Sequence, residues 1–369
     1  MITHETEEGP LPNNFTVLTM EGFYEEMFRT YNMEEFIEES ALSMMTSIYD
    51  FALFTCRYDY NTAAFKTLLD YPQDYKFDLI IFDDSVGMRC YHPLIKRFHN
   101  PPALAVTPFL LPPVISTVFG NHIYTSYNPH YNTQFTNKMS LSERIINFVL
   151  TYAEILYRYY IYLPREDALI KTNFKNYEDL EKHISLLLCN TDPILDYPVA
   201  LPPNIIPVGG LHARPPSKLP EDLQIILDEA KQGAILFSLG TNVRSDELDL
   251  VTRKSLLDAF AKVPHLVIWK FETEEIGELP RNVVVRKWLP QNDILGHPNI
   301  KLFISHGGAL STQEAMYHGV PVVGIPFMMD QYVNVQKMED RKTAKRLDRK
   351  NLTTENIYET IKEVLYSDV

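Results

Sequence analysis

The sequence predicts an α/β protein made of two doubly wound domains, and three observations carry that expectation. Short runs of Val, Ile and Leu alternate with amphipathic segments along the second half. A proline-rich stretch containing a Gly-Gly pair divides the chain, and only four of the 14 glycines lie before it. The length of 369 residues suits two domains of about 100–200 residues each.

In the first half, "FDLIIFDD" (77–84) and "PALAVTPF" (102–109) read as strands, and helices begin from Glu21. Leu141 to Leu163 reads as one long helix with apolar residues at helical spacing. Its clustered tyrosines, Tyr157, Tyr159, Tyr160 and Tyr162, fit either a core or the wall of an apolar pocket. No partner strands are evident before Glu21, so the N-terminal domain, residues 1–206, is expected to lack its opening pieces. "LPPNIIPVGGLHARPPSKLP" (201–220) supplies the break, with residues 207–220 as linker and 221–369 as the second domain.

That second domain gives the strands "AILFSLG", "HLVIWKF", "NVVVRKW", "IKLFIS" and "VPVVGIP". Helices are expected from Asp246, after Gln291, at Ser311, from Asp330 and from Thr353. Continuous β-branched runs separated by helices indicate a parallel sheet covered on both faces. Arg341 to Lys350 reads as a solvated helix end.

The hydrophobic fraction of 45% permits a sizeable core. A net charge of -14 argues against a nucleic-acid surface, which needs clustered Lys and Arg. Cys56, Cys90 and Cys189 form no zinc spacing or disulfide framework; they read as buried thiols and leave the redox compartment open. No run of about 18 apolar residues and no leader-like N-terminus is present.

The chemistry concentrates in "KLFISHGGALSTQEAMYHGVPVVGIPFMMDQ" (301–331). Ligands of open α/β sheets bind beyond the carboxyl ends of strands, where helix N-termini present free amide groups. Ser305, His306, Gly307 and Gly308 occupy such a turn, and glycine lets an anion approach the backbone. Two readings stay open for Ser311 and Glu314: a capping box, or ligand contacts. His306 is a core histidine or a phosphate neighbour. "FSLGT" (237–241) and Asp330-Gln331 end two further strands on the same rim. Upstream, Trp288 is a buried indole or a platform for a base, with Gln291 set to meet the base's polar edge.

W-x-P-Q, H-x-G, E-A-x-x-x-G-V-P and D-Q, in that order from Trp288 to Gln331, closely resemble the signature of the UDP-glycosyltransferases, particularly the animal and insect-like branch. "NIIPVGGLHARPPSKLPEDLQIILDEAKQGAILFSLGT" and "STVFGNHIYTSYNPHY" extend the resemblance over nearly the whole chain.

The resemblance implies the GT-B architecture: two Rossmann-like domains, the N-terminal one for a small lipophilic acceptor and the C-terminal one for a UDP-sugar. It implies that Trp288 stacks on uracil, with Gln291 beside the uridine and Glu314 accepting from the ribose hydroxyls. Ser238, His306, Gly308 and Ser311 would surround the diphosphate, and Asp330 with Gln331 would hold sugar hydroxyls. Leu310 stands where many relatives have Asn, and Met328-Met329 where a smaller residue is commoner.

The implied reaction is inverting transfer of a hexose, glucose for the insect-like branch, to an acceptor hydroxyl. No cofactor is implied, and no metal, in keeping with the absence of a D-x-D tripeptide. Relatives use a histidine base supported by an aspartate that matches Asp83, with Asp84 the fallback. His4 is not at the base position, and the segment bearing the base is expected to be missing. The chain is thus expected to be a fragment, cut at both ends, of a membrane-anchored enzyme of the endoplasmic reticulum lumen. The alternative is a non-catalytic UDP-sugar-binding relative that forms homo- or heterodimers.

Overall fold

The computed structural model describes residues 1–4, 12–31, 39–109, 111–241, 243–273 and 276–366. In the first half the strands are β1 (Ile2–Thr3), β2 (Leu18–Thr19), β3 (Ile80–Asp83), β4 (Ala103–Thr107), β5 (Ile184–Cys189) and β6 (Ile205–Pro207). Its helices are α1 (Phe23–Thr30), α2 (Ala41–Asp59), α3 (Ala63–Leu69), α4 (Pro93–Arg97), α5 (Pro113–Val118), α6 (Leu141–Tyr157) and α7 (Leu163–Asn173). The second half contains β7 (Ala234–Ser238), β8 (Leu266–Lys270), β9 (Val283–Arg286), β10 (Ile300–Ser305), β11 (Val322–Gly324) and β12 (Ala344–Arg346). Around them lie α8 (Glu221–Glu229), α9 (Leu250–Phe260), α10 (Gln291–Leu295), α11 (Ala309–His318), α12 (Gln331–Asp340) and α13 (Thr354–Tyr366).

β7 to β12 form one parallel sheet in the order β12-β11-β10-β7-β8-β9. The chain winds outward through β8 and β9, returns beside β7 as β10, and winds the other way. This double winding puts the switch point between β7 and β10. Ile235 and Phe237 of β7 pack with Trp269, Phe260 and Ile357 on one face. Ala234 and Leu236 pack with Leu227, Phe303 and Ala315 on the other. Two covered faces explain why these strands read as unbroken apolar runs; each fully buried large side chain contributes about 1.5–3 kcal/mol.

The other main sheet is also parallel, in the order β3-β4-β5-β6, with β3 at one edge. Its core joins Phe82, Ala105 and Leu187 to Ile95, Ile115 and Tyr49. β1 and β2, a partner pair the sequence did not reveal, make a separate two-stranded parallel sheet.

Contacts between the halves form around α12. Lys337 pairs with Asp196 at 2.6 Å, both buried. Tyr197 donates to Asp340 (2.9 Å), and Arg341 donates to the Ile194 carbonyl (2.8 Å). Met44 and Ile48 of α2 pack into the cluster that holds Phe327 and Met328.

Several expectations require correction. Cys56 and Cys90 are disulfide-bonded, and only Cys189 is a buried free thiol. The expected helix from Leu141 to Leu163 is interrupted by a π-helical turn, Arg158–Tyr162. Tyr160 is 72% exposed and Tyr159 is exposed too, whereas Tyr162 is buried against Tyr49, so these tyrosines line no common pocket. The supposed helix end after Arg341 contains β12, paired in parallel with β11.

Candidate active site

Ser238, Ser305 and Gly324 lie side by side in register, so β7, β10 and β11 end level at the switch point. Their carboxyl ends form the rim on which the candidate residues gather. Gly307 turns the chain there at φ 85, a conformation L side chains rarely adopt. Gly308 then serves as N-cap of α11 without any side-chain cap bond. A Cβ on Gly308 would lie 2.5 Å from His306 Nε2, and one on Gly240 would lie 2.7 Å from its Cε1. The imidazole is therefore held against two glycine backbones, and neither glycine tolerates a side chain without moving it.

His306 is buried, its Nδ1 has no partner among the described residues, and its pKa is lowered to about 4, first by burial and then by the charge on Lys270. The ring is neutral at physiological pH. Ser238 is buried too, and its Oγ accepts from the Gly240 amide (3.3 Å).

The two tryptophans differ in kind. Trp269 is the buried indole, stacked on Phe237 at 4.9 Å, while Trp288 is 70% exposed at the rim beyond β9. A bare indole is a ready stacking surface. Gln291, at the start of α10, donates from Nε2 to Ser311 Oγ (3.0 Å) and Glu314 Oε2 (2.6 Å). One carboxamide thus connects α10 with two residues of α11. Burial raises the Glu314 pKa, partly offset by the Gln291 bond.

The capping-box reading of Ser311 and Glu314 does not hold, because α11 starts two residues earlier and places both inside the helix. A real capping box stands at Ser140 and Glu143, at the start of α6. Glu314 is left with its carboxylate toward Gln291 and the rim. Leu310 is half-exposed at the helix start, and its carbonyl accepts from His212 Nε2 (3.0 Å).

Asp330 is buried, its Oδ2 accepts from Asn334 Nδ2 (2.7 Å), and burial pushes its pKa up to about 6 against the lowering effects of Asn334 and Lys337. Gln331 Oε1 accepts from the Phe327 and Met328 amides (2.8 and 3.2 Å), so its Nε2 donors are what a ligand can use. Met329 adopts a left-handed φ of 52 in the same turn.

Across the cleft, Asp83 ends edge strand β3 and accepts hydrogen bonds from the Ser85 amide (3.1 Å) and hydroxyl. Ser85 and Asp330 line one cavity between the halves. Asp84 is buried instead, and burial raises its pKa to about 7 despite Arg158; it is not available to a substrate. His4 lies elsewhere: its Nε2 is bonded to buried Asp59 (2.7 Å) and its ring stacks on Phe23.

Sequence reasoning missed Lys270, the last residue of β8. Its Nζ donates to the Gly240 carbonyl (2.8 Å) and Glu272 (2.9 Å), and its charge acts on His306. The signal was a lysine closing the otherwise apolar run "LVIWK".

Two parallel sheets, one of them doubly wound, with the candidate residues gathered at the carboxyl ends of β7 to β11, define a two-lobed α/β protein. Solved structures with a similar fold are GT-B glycosyltransferases. They include the glycotransferase of kitacinnamycin (TM-score 0.51, 20% identity, 89% of this chain and 77% of that one). Another is UDP-glucose: anthocyanidin 3-O-glucosyltransferase in complex with UDP (TM-score 0.50, 15% identity, 79% and 67%). The fold is GT-B.

The chain belongs to the UDP-glucoronosyl and UDP-glucosyl transferase family, whose profile matches residues 4–369. It is 36% identical to UDP-glucosyltransferase 2 of Dactylopius coccus over 79% of this chain and 57% of that protein. Identity with UDP-glucuronosyltransferase 3A1 of Xenopus laevis is 30%, over 93% and 65%. With human 2-hydroxyacylsphingosine 1-beta-galactosyltransferase it is 34%, over 79% and 53%. The chain therefore spans about half to two thirds of the length of these relatives.

Proposed function

We propose that the chain binds a UDP-sugar along the Trp288–Asp330 rim and transfers its hexose, glucose, with inversion to the hydroxyl of a small lipophilic acceptor. The observation that carries this reading is the continuous line from bare Trp288 through Gln291 to Ser311 and Glu314, and on to the open N-terminus of α11. An indole suits uracil, Glu314 suits two ribose hydroxyls, and free helix amides suit a diphosphate. Asp330 and the Gln331 amide then suit the sugar hydroxyls.

In this reading the chain's own groups meet the charge developing on the departing UDP. The amides of α11 point to it, and Lys270 holds the Gly240 turn beneath it while adding positive potential. Neutral His306 adds no charge of its own and fills the floor of the turn. No metal is required, so EDTA should leave turnover unchanged. Incubation with UDP-glucose and a panel of phenols, followed by mass spectrometry, is expected to yield products heavier by one hexose. UDP binding without any conjugate would favour a second reading, a UDP-sugar binder without turnover.

A pH dependence follows from Asp330. With its pKa near 6, the carboxyl is ionised above that value and protonated below it. Charge-assisted bonds to sugar hydroxyls are present at higher pH and lost as pH falls through about 6. The advantage of UDP-glucose over UDP in calorimetric affinity should shrink about fivefold from about pH 7.5 to about pH 5. A ratio constant with pH would remove Asp330 from the sugar site.

The Cys56–Cys90 disulfide supports an oxidising compartment, with which the endoplasmic reticulum lumen is consistent. No helix among the described residues is long and apolar enough to cross a membrane.

A further inference from the structure

We propose that Asn334 of α12 is a positioning residue for sugar transfer: its side-chain amide ties the Gly307 turn to Asp330 and so aligns the diphosphate and sugar ends of the donor site. The inference deepens the proposed function and rests on it.

The first turn of α12 sits directly on the Gly307 turn. A Cβ on Gly307 would lie 2.5 Å from Val335 Cγ2 and 3.0 Å from the Gln331 carbonyl oxygen, so the helix meets bare backbone. Asn334 is buried at this seam. Its Nδ2 donates to the Gly307 carbonyl (3.0 Å) and to Asp330 Oδ2 (2.7 Å). Both partners are acceptors, so the orientation of the carboxamide is fixed and both of its hydrogens are engaged.

One of these bonds is local and the other is not. Asp330, the N-cap of α12, precedes Asn334 by one helical turn, where such a pair adds little to a helix by itself. Gly307 is 27 residues away, in the turn after β10. In a trans peptide the carbonyl and the next amide point in opposite directions. With the Gly307 carbonyl held toward Asn334, the Gly308 amide is turned to the opposite side, where it donates to no group among the described residues. A single carboxamide thus sets the direction of one donor, the Gly308 amide, and of one acceptor, the Asp330 carboxylate. In the proposed site these two flank the bond between the diphosphate oxygen and the sugar's anomeric carbon, which breaks on transfer.

Asn334 also helps to keep Asp330 ionised. Burial raises the Asp330 pKa, and the Asn334 bond and the Lys337 charge oppose that rise. Lys337 is itself engaged with Asp196 at 2.6 Å. His306, just before the turn, is neutral. Glu154, Tyr49 and Tyr131 line the cavity that Asp330 faces, and burial with the Glu154 charge keeps both tyrosines protonated. Loss of the Asn334 bond leaves burial less opposed, so the Asp330 carboxylate is lost at a higher pH than in the wild type.

An asparagine that only held α12 in place would weaken both ligands alike and leave the pH midpoint where it is. Calorimetric titrations with UDP and with UDP-glucose, from about pH 5 to about pH 8, separate the two roles. In Asn334→Ala, checked for folding by circular dichroism, the advantage of UDP-glucose over UDP at about pH 7.5 should fall about fivefold, and the midpoint of its pH dependence should move to higher pH. Asn334→Ser, which retains one donor hydrogen, should lie between and is read by the same two criteria if the alanine variant does not fold. An unchanged advantage with an unchanged midpoint in a folded variant would overturn the inference. Failure of both variants to fold would make Asn334 a residue of the fold alone and overturn it as well. A wild type that binds no UDP would sink the proposed function together with this role, whereas a wild type with the UDP-glucose advantage, kept by its variants, would sink only the role of Asn334.

Discussion

Glu314→Ala is expected to weaken UDP binding about 100-fold while leaving the fold intact. A buried-side carboxylate that accepts two ribose hydroxyls makes two charge-assisted bonds, each worth about 1.5–3 kcal/mol. Its removal also leaves the Gln291 amide, now bonded to Glu314 at 2.6 Å, with only Ser311 as partner. Alanine is a strong helix former, and Glu314 lies inside α11 rather than at its cap, so the substitution costs the helix little. Isothermal titration with UDP and a urea melt, run on the same preparation, separate the two effects. Unchanged affinity would mean that Glu314 serves only to hold Gln291.

Breaking the Cys56–Cys90 bridge is expected to cost about 3–4 kcal/mol of stability. The bridge joins the end of α2 to the segment before α4, 34 residues apart, and the chain entropy of an open loop that long sets the figure. Around it, Phe65, Phe98 and Ile170 form a buried cluster, and the Tyr60 hydroxyl donates to the Cys90 carbonyl. The Cys56→Ala/Cys90→Ala variant should unfold at clearly lower urea than the wild type, and dithiothreitol should move the wild type toward it. A midpoint indifferent to reductant would show that the two thiols are not joined in solution.

β7, β8, β10 and β11 were legible because they are buried on both faces and therefore spelled as nearly unbroken apolar runs, whereas the edge strand β12, an Ala-Lys-Arg stretch, was not. β5 was not, since Leu186, Leu187 and Leu188 suit a helix as well as a strand. β6 hid between prolines that only an edge strand tolerates. The disulfide was invisible because pairing depends on α2 and the loop before α4 meeting in space. On the rim, spacing located Trp288, Glu314 and Asp330, but the choice between Trp288 and Trp269 as the bare indole required burial. The capping-box pattern at Ser311 misled because the turn through Gly307 and Gly308 starts the helix early. Lys270 escaped notice for a related reason: it is a single charge in an apolar run, whose neighbours are distant in sequence.

The most direct test of the UDP-sugar site is a tryptophan fluorescence titration with UDP. The chain has two tryptophans, of which Trp269 is fully buried and Trp288 stands 70% exposed at the proposed uracil platform. Stacking should quench the solvent-exposed, red-shifted component saturably below about 1 mM UDP, and Trp288→Phe should abolish the response. An emission spectrum unchanged up to that concentration, with the chain folded, would contradict the assignment of this rim to UDP.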